Sequence, residues 1–132
     1  MSFIELPISD MDDIQESQPV PEGEYNLVIS EAKEKQNESG ELKGIMVICE
    51  IQGMENASNV FHNISLPLPG DESDKINNKL KFIKRFVQHF KIPVKGNQLN
   101  VQDFLGKTAR CMLTQEEYNG SVSNKIKLPN SK

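Results

Sequence analysis

Ser73-Asp74-Lys75-Ile76-Asn77-Asn78-Lys79-Leu80-Lys81-Phe82-Ile83-Lys84-Arg85-Phe86-Val87-Gln88-His89-Phe90 decides how the rest of the chain is read. Ile76, Leu80, Ile83, Val87 and Phe90 recur at 4-3-4-3 spacing, the stripe of a helix that buries one side, and Phe86 widens it. Ser73 or Asp74 can cap the start, and Pro93 stops the helix because it has no N–H to donate and its ring clashes with the turn before it. Lys81, Lys84, Arg85, Gln88 and Lys91 fall on the opposite side and are expected to face water.

Outward from this helix the period changes to two. Tyr25, Leu27 and Ile29 alternate with Asn26, Val28 and Ser30, giving a first strand from Gly23 towards Lys35, and Asn37 to Gly40 turns the chain. Ile45-Met46-Val47-Ile48-Cys49-Glu50-Ile51 is almost continuously apolar, as for a strand covered on both faces, and is expected to be the central one. Val60 to Leu68 forms a third strand, with Val60, His62, Ile64 and Leu66 on one side and Phe61 on the other, ended by Pro67, Pro69 and Gly70. After the helix comes a short turn between Asn100 and Leu105. Ala109, Cys111 and Leu113 then alternate with Thr108, Arg110 and Met112 in a fourth strand, and Asn119-Gly120 is a two-residue hairpin signal returning the chain through Val122, Ile126 and Leu128.

Three strands, a helix and a final hairpin match an all-β domain with one helix: an OB-fold-like five-stranded Greek-key barrel, the helix between the third and fourth strands. A small α+β sandwich gives similar strings. OB barrels bind oligomers on a strand face and its flanking loops. Fold order alone assigns no function, so the chemistry of the side chains has to.

Charge is segregated along the chain. Met1 to Asp74 hold 3 Lys and Arg against 16 Asp and Glu, whereas Lys75 to Lys132 hold 12 against 3, so a net charge of -4 hides two opposed halves. Such a split points to a polyanion partner or to one half shielding the other. The acidic half includes residues 1–22, with six carboxylates, no basic residue, three prolines and no sustained period, read as an acidic arm without regular structure. The folded domain is then 23–132, one domain's worth of chain. With no stretch of 18 apolar residues and no signal-like start, the chain is expected to be cytoplasmic with no membrane partner, and Cys49 and Cys111 to be small core residues.

Enzyme signals are weak. His62 and His89 belong to no metal-spaced set, and Glu31-Ala32-Lys33 and Glu41-Leu42-Lys43 resemble half of a metal-dependent nuclease site without its partner Asp. No catalysis, cofactor or metal is expected. A single-strand binder instead needs cations for phosphates and flat rings for bases. Tyr25, Phe61 and Tyr118 are the candidate rings; core or rim packing competes with that role for Phe61 and Tyr118 and outweighs it for Tyr25. Lys33, Lys35 and Lys43 flank the first hairpin, and Lys107, Arg110, Lys125 and Lys127 lie on the last two strands; barrel closure is expected to join these regions at a groove.

Pro21-Glu22-Gly23-Glu24-Tyr25, Glu31-Ala32-Lys33-Glu34-Lys35, Phe61 to Leu66, Leu105-Gly106-Lys107, and Glu117-Tyr118-Asn119-Gly120 with Lys125-Ile126-Lys127 together resemble phage-encoded single-stranded DNA-binding proteins, formerly a domain of unknown function. The similarity runs from about Pro21 to Leu128 through short motifs. It implies an OB-type barrel that coats single-stranded DNA, with little sequence preference, during replication or recombination. Tyr25, Phe61, Tyr118, Lys125 and Lys127 match pattern positions. Many single-strand binders recruit partners through an acidic C-terminal tip, whereas here the acidic run is N-terminal and the chain closes on Leu128-Pro129-Asn130-Ser131-Lys132.

The expectation is therefore non-enzymatic binding of single-stranded DNA, with phage or host replication and recombination proteins as further partners. The alternative is a protein-interaction or virion-assembly module that uses the charged surfaces. The arm either competes with DNA for the basic groove or recruits partners. Oligomeric state, a homodimer included, DNA site size and RNA discrimination stay open at this level.

Overall fold

A single long strand carries the architecture. β1 (Gly23–Gln36) pairs over its first half with β4 (Thr108–Tyr118), from Gly23 opposite Leu113 to Val28 opposite Thr108. Its second half pairs with β2 (Leu42–Ile51), from Leu27 opposite Ile51 to Gln36 opposite Leu42. At Ser30 the register skips a residue, a bulge that bends the strand, and Ser30 Oγ donates to the Ile48 carbonyl at 3.1 Å. β3 (Val60–Ser65) adds beyond β2 and β5 (Ser121–Lys127) beyond β4, giving the antiparallel order β3-β2-β1-β4-β5. The two edge strands, β3 and β5, run parallel and come into contact, so the sheet curls into an OB-like barrel. No backbone ladder joins them among the described residues. The computed structural model describes residues 18–128 apart from 55 and 97.

The centre of the sheet is β1, not the apolar Ile45–Ile51 run expected there. At 14 residues with a bend, β1 offers its first half to β4 and its second to β2, so β2 is left one place from the centre, between β1 and β3. Ile48 explains the misleading composition of β2. It is 8 % exposed yet is the one buried apolar side chain outside the core cluster among the described residues, because it lies on the outer pleat between two core positions. β3 also stops at Ser65, short of the expected Leu68.

The inward pleats supply Leu27, Ile29, Ile45, Val47, Cys49, Val60, Ile64, Cys111 and Leu113, and α1 (Ser73–His89) closes one end of the barrel with Phe86, Val87 and the adjoining Phe90. A 3₁₀ turn (Val101–Phe104) adds Phe104, its start capped by Asn100 Oδ1 accepting from the Gln102 N–H at 3.0 Å. Phe86 is the hub. Its ring lies 4.8 Å from Phe90, 5.9 Å from Phe104 and 5.0 Å from His62, the last stacked nearly parallel. Burying such side chains contributes about 1.5–3 kcal/mol each.

The helix departs from its expected stripe at the N-terminal half. Leu80 is 49 % exposed, and the buried face turns towards Phe86, since only the last turns reach the barrel. Neither Ser73 nor Asp74 caps it; Glu72 occupies the cap position without a side-chain bond. Asp71 does the anchoring instead, accepting from the Leu68 N–H at 2.9 Å and from Lys79 Nζ at 2.8 Å, while Lys79 also donates to the Leu66 carbonyl. The Lys79 hydrogen bond is the main reason that the Asp71 carboxyl is held below its ordinary range.

Ordered contacts begin before Gly23, the expected boundary. Val20 is buried in the core, Gln18 N donates to Asn56 O at 2.9 Å, and Ser58 N donates to Gln18 O at 2.8 Å. The remainder of the arm, residues 1–17, lies outside the described residues. At the far hairpin, Asn119 and Gly120 have φ of 51° and 81°, the two positive values that a type I′ turn requires and that Asn-Gly tolerates.

Candidate nucleic-acid interface

Alternation along β3 sends Val60, His62 and Ile64 inward and Phe61 outward, where Phe61 is 45 % exposed. Register then sets its neighbours. Phe61 pairs with Ile48, and Ile48 with Glu31; one step along, Asn63 pairs with Met46 and Met46 with Lys33; a further step places Gly44 between Ser65 and Lys35. The outer face of β1–β2–β3 is thus an apolar strip, Phe61, Ile48 and Met46, bordered by cations. Gly44 leaves room for the β3 backbone, since a Cβ there would meet the Ile64 carbonyl oxygen at 2.6 Å.

Lys33, Lys35 and Lys43 are all exposed; Lys33 and Lys35 project from this outer pleat, and Lys43 falls in the irregularity at the end of the β1–β2 pairing. Lys33 lies 3.5 Å from Glu31, an exposed pair that a phosphate can replace at little cost. The β1–β2 turn is ordered by Asn37 Oδ1, which accepts from the Ser39 and Glu41 N–H groups at 3.0 and 2.9 Å.

Across the β3–β5 seam the outward residues are Lys125, opposite Thr114, and Lys127, opposite Met112. Lys125 is near enough to His62 to act on it. Burial first, and then the Lys125 charge, push the His62 pKa down to about 4, so this ring is neutral near pH 7. Because Phe61 adjoins His62 in the chain, the seam brings the Phe61 strip near Lys125, whereas Lys127 lines a small cleft with Glu24, His89, Arg110 and Met112. Tyr118 projects from the end of β4 and is 77 % exposed.

Three expected residues stand apart. Tyr25 faces inward, opposite Cys111 and against the core, with its hydroxyl donating to the Pro21 carbonyl at 2.7 Å. Arg110 is exposed but engaged: Nε donates to Glu24 Oε2 at 3.0 Å, and Asn26 Oδ1 lies 3.5 Å from Nη1. Lys107 is only partly exposed at the corner where its carbonyl accepts from Ile29 N at 2.9 Å. These three lie along β1 and β4 rather than on the Phe61 strip.

One residue was missed by sequence. Phe82 is 57 % exposed on α1, with the Arg85 guanidinium 5.0 Å from its ring centroid. Its signal was its place in the helix, an aromatic one residue off the apolar stripe. Among the described residues no group of three or more His, Cys, Asp or Glu side chains is arranged to hold a metal ion, and no helix is long and apolar enough to cross a membrane. No protein-family model and no curated protein matches the chain.

Proposed function

We propose that this chain binds single-stranded DNA with little sequence preference and catalyses no reaction on it. The observation that carries this reading is Phe61: an aromatic ring facing water on the outer pleat of β3, beside Ile48, with Lys33 and Lys35 to one side and Lys125 across the seam. Stacking on such a ring is worth about 1–3 kcal/mol per base, and every base has a face to offer, so affinity comes without sequence readout. The lysines supply the backbone contacts and make binding salt-dependent. The resemblance noted from the motifs puts this activity in phage replication or recombination, in the host cytoplasm, beside other replication and recombination proteins.

Fluorescence polarisation with a labelled oligonucleotide at low and moderate salt tests the proposal. Binding that weakens as salt rises is the expected result. Absence of binding at both salts, with correct folding seen by circular dichroism, overturns it. The second reading, an interaction or assembly module, is favoured by a different feature: a cleft of ≈ 1140 Å³ between α1, the β1–β2 hairpin and the loop after the helix, where Leu42, Leu80 and Val94 are exposed.

A further inference from the structure

Helix α1 has a flank that neither its buried stripe nor the Phe61 strip accounts for. Asn78, Phe82, Arg85 and His89 follow one another at 4-3-4 spacing, so they line one side of the helix. The first two border a groove of ≈ 500 Å³ whose other wall is the β3 edge from His62 to Ser65. At the far end His89 Nε2 lies 2.8 Å from the Arg110 carbonyl of β4. The flank therefore runs from β3 to β4, beside the seam that lacks a backbone ladder.

Phe82 is second only to Tyr118 among the exposed large apolar side chains described. Exposing a phenyl ring in a groove whose helix side is otherwise polar, with Glu72, Asp74, Lys75, Asn78 and Lys79, contributes nothing to folding. Arg85 covers one face of the ring and leaves the rest to solvent. Lys75 and Lys79 in the groove are engaged by Asp71, and Arg110 at the far end by Glu24. Arg85 is not: it makes no ion pair among the described residues, and its buried Nε has no hydrogen-bond partner there. A planar guanidinium beside an open aromatic face joins the two contacts a nucleotide needs, a stacking surface and a phosphate donor. Asn63, which lines this groove, is two residues along β3 from Phe61, about 7 Å of strand.

We infer that Phe82 and Arg85 form a second nucleotide station on α1, where Phe82 stacks a base, Arg85 holds its phosphate, and the strand arrives from Phe61 over the free edge of β3. This rests on the single-stranded DNA reading. It also takes Arg85 out of the helix cations expected only to face water.

The test uses the full chain and labelled oligo-dT of about 6 and about 20 nucleotides, lengths chosen within and beyond the span of a single OB site. Phe82→Leu keeps apolar volume and removes the aromatic face; its thermal melt should match the wild type because the ring packs little. The expected result is a loss of ~5-fold or more for the long oligonucleotide, with the short one within about 2-fold, whereas Phe61→Leu weakens both. Arg85→Gln should reproduce the length-dependent loss. If wild type binds and Phe82→Leu leaves the long oligonucleotide unchanged, the second station is wrong and the Phe61 site stands. An equal loss at both lengths overturns a separate station, and a wild type that binds neither length overturns the DNA reading together with it.

Discussion

The Asn124 side chain closes on both backbone groups of Val20, 104 positions away: its Oδ1 accepts from Val20 N and its Nδ2 donates to Val20 O, each at 2.8 Å. Asn124 Nδ2 also donates to the Thr114 carbonyl, and Gln115 Nε2 reaches Val20 O at 2.8 Å. A buried amide here imitates a strand partner. With Gln18 bonded to Asn56 and Ser58, it ties the β2–β3 loop to β5, near the seam.

Replacing Asn124 by Leu leaves Val20 N and Thr114 O buried without this partner, so the expected cost is about 2–4 kcal/mol. Urea denaturation measures it. Hydrogen exchange should show faster exchange at Gln18–Val20 in the variant, and an unchanged rate there would contradict the staple.

Phe61→Ala should weaken binding to oligo-dT by about 1–3 kcal/mol with little effect on stability, since the ring is largely in solvent on the outer pleat. Tyr25→Phe should do the reverse. It removes the bond to Pro21, costing about 1 kcal/mol of stability, and leaves DNA affinity alone.

Lys125→Gln and Lys127→Gln should each lower the magnitude of the slope of log affinity against log salt by about 0.7. Arg110→Gln should change the slope less, because Glu24 already holds the guanidinium. Titrations at four salt concentrations discriminate the two outcomes.

His62 sets an acid limit on stability. Its folded pKa of about 4 lies below the ordinary 6.5, so its contribution is complete above about pH 6.5 and is lost as pH falls towards about 4. The size is on the order of 3 kcal/mol. His62→Leu should flatten the stability profile between those pH values. A slope identical to wild type would remove His62 as its source.

Cys49 and Cys111 are free and buried, and burial pushes both thiols up to about 12. Neither should react with a thiol reagent in native buffer at pH 8, and both should react in urea. Labelling of the native protein within minutes would place at least one thiol outside the core.

What the sequence determined by itself was local and periodic. Period-two alternation set which of Phe61 and His62 faces inward, the 4-3-4-3 stripe set the helix, and Asn119-Gly120 set the hairpin, because each depends on neighbours only a few residues away. The order of those elements was enough for the OB-like fold. Tertiary structure alone decided what long-range register controls. It put β1 at the centre, bent at Ser30 between β4 and β2. It buried Ile48 outside the core, brought Lys125 to His62, and set Glu24 against Arg110 across 86 positions. It also stacked Arg85 on Phe82 beside the β3 edge, a contact with a helical spacing but a meaning that comes from the strand across the groove. A lysine or arginine on an outward pleat looks the same in sequence whether it is free or already held by a carboxylate, and the fold is what separates the two.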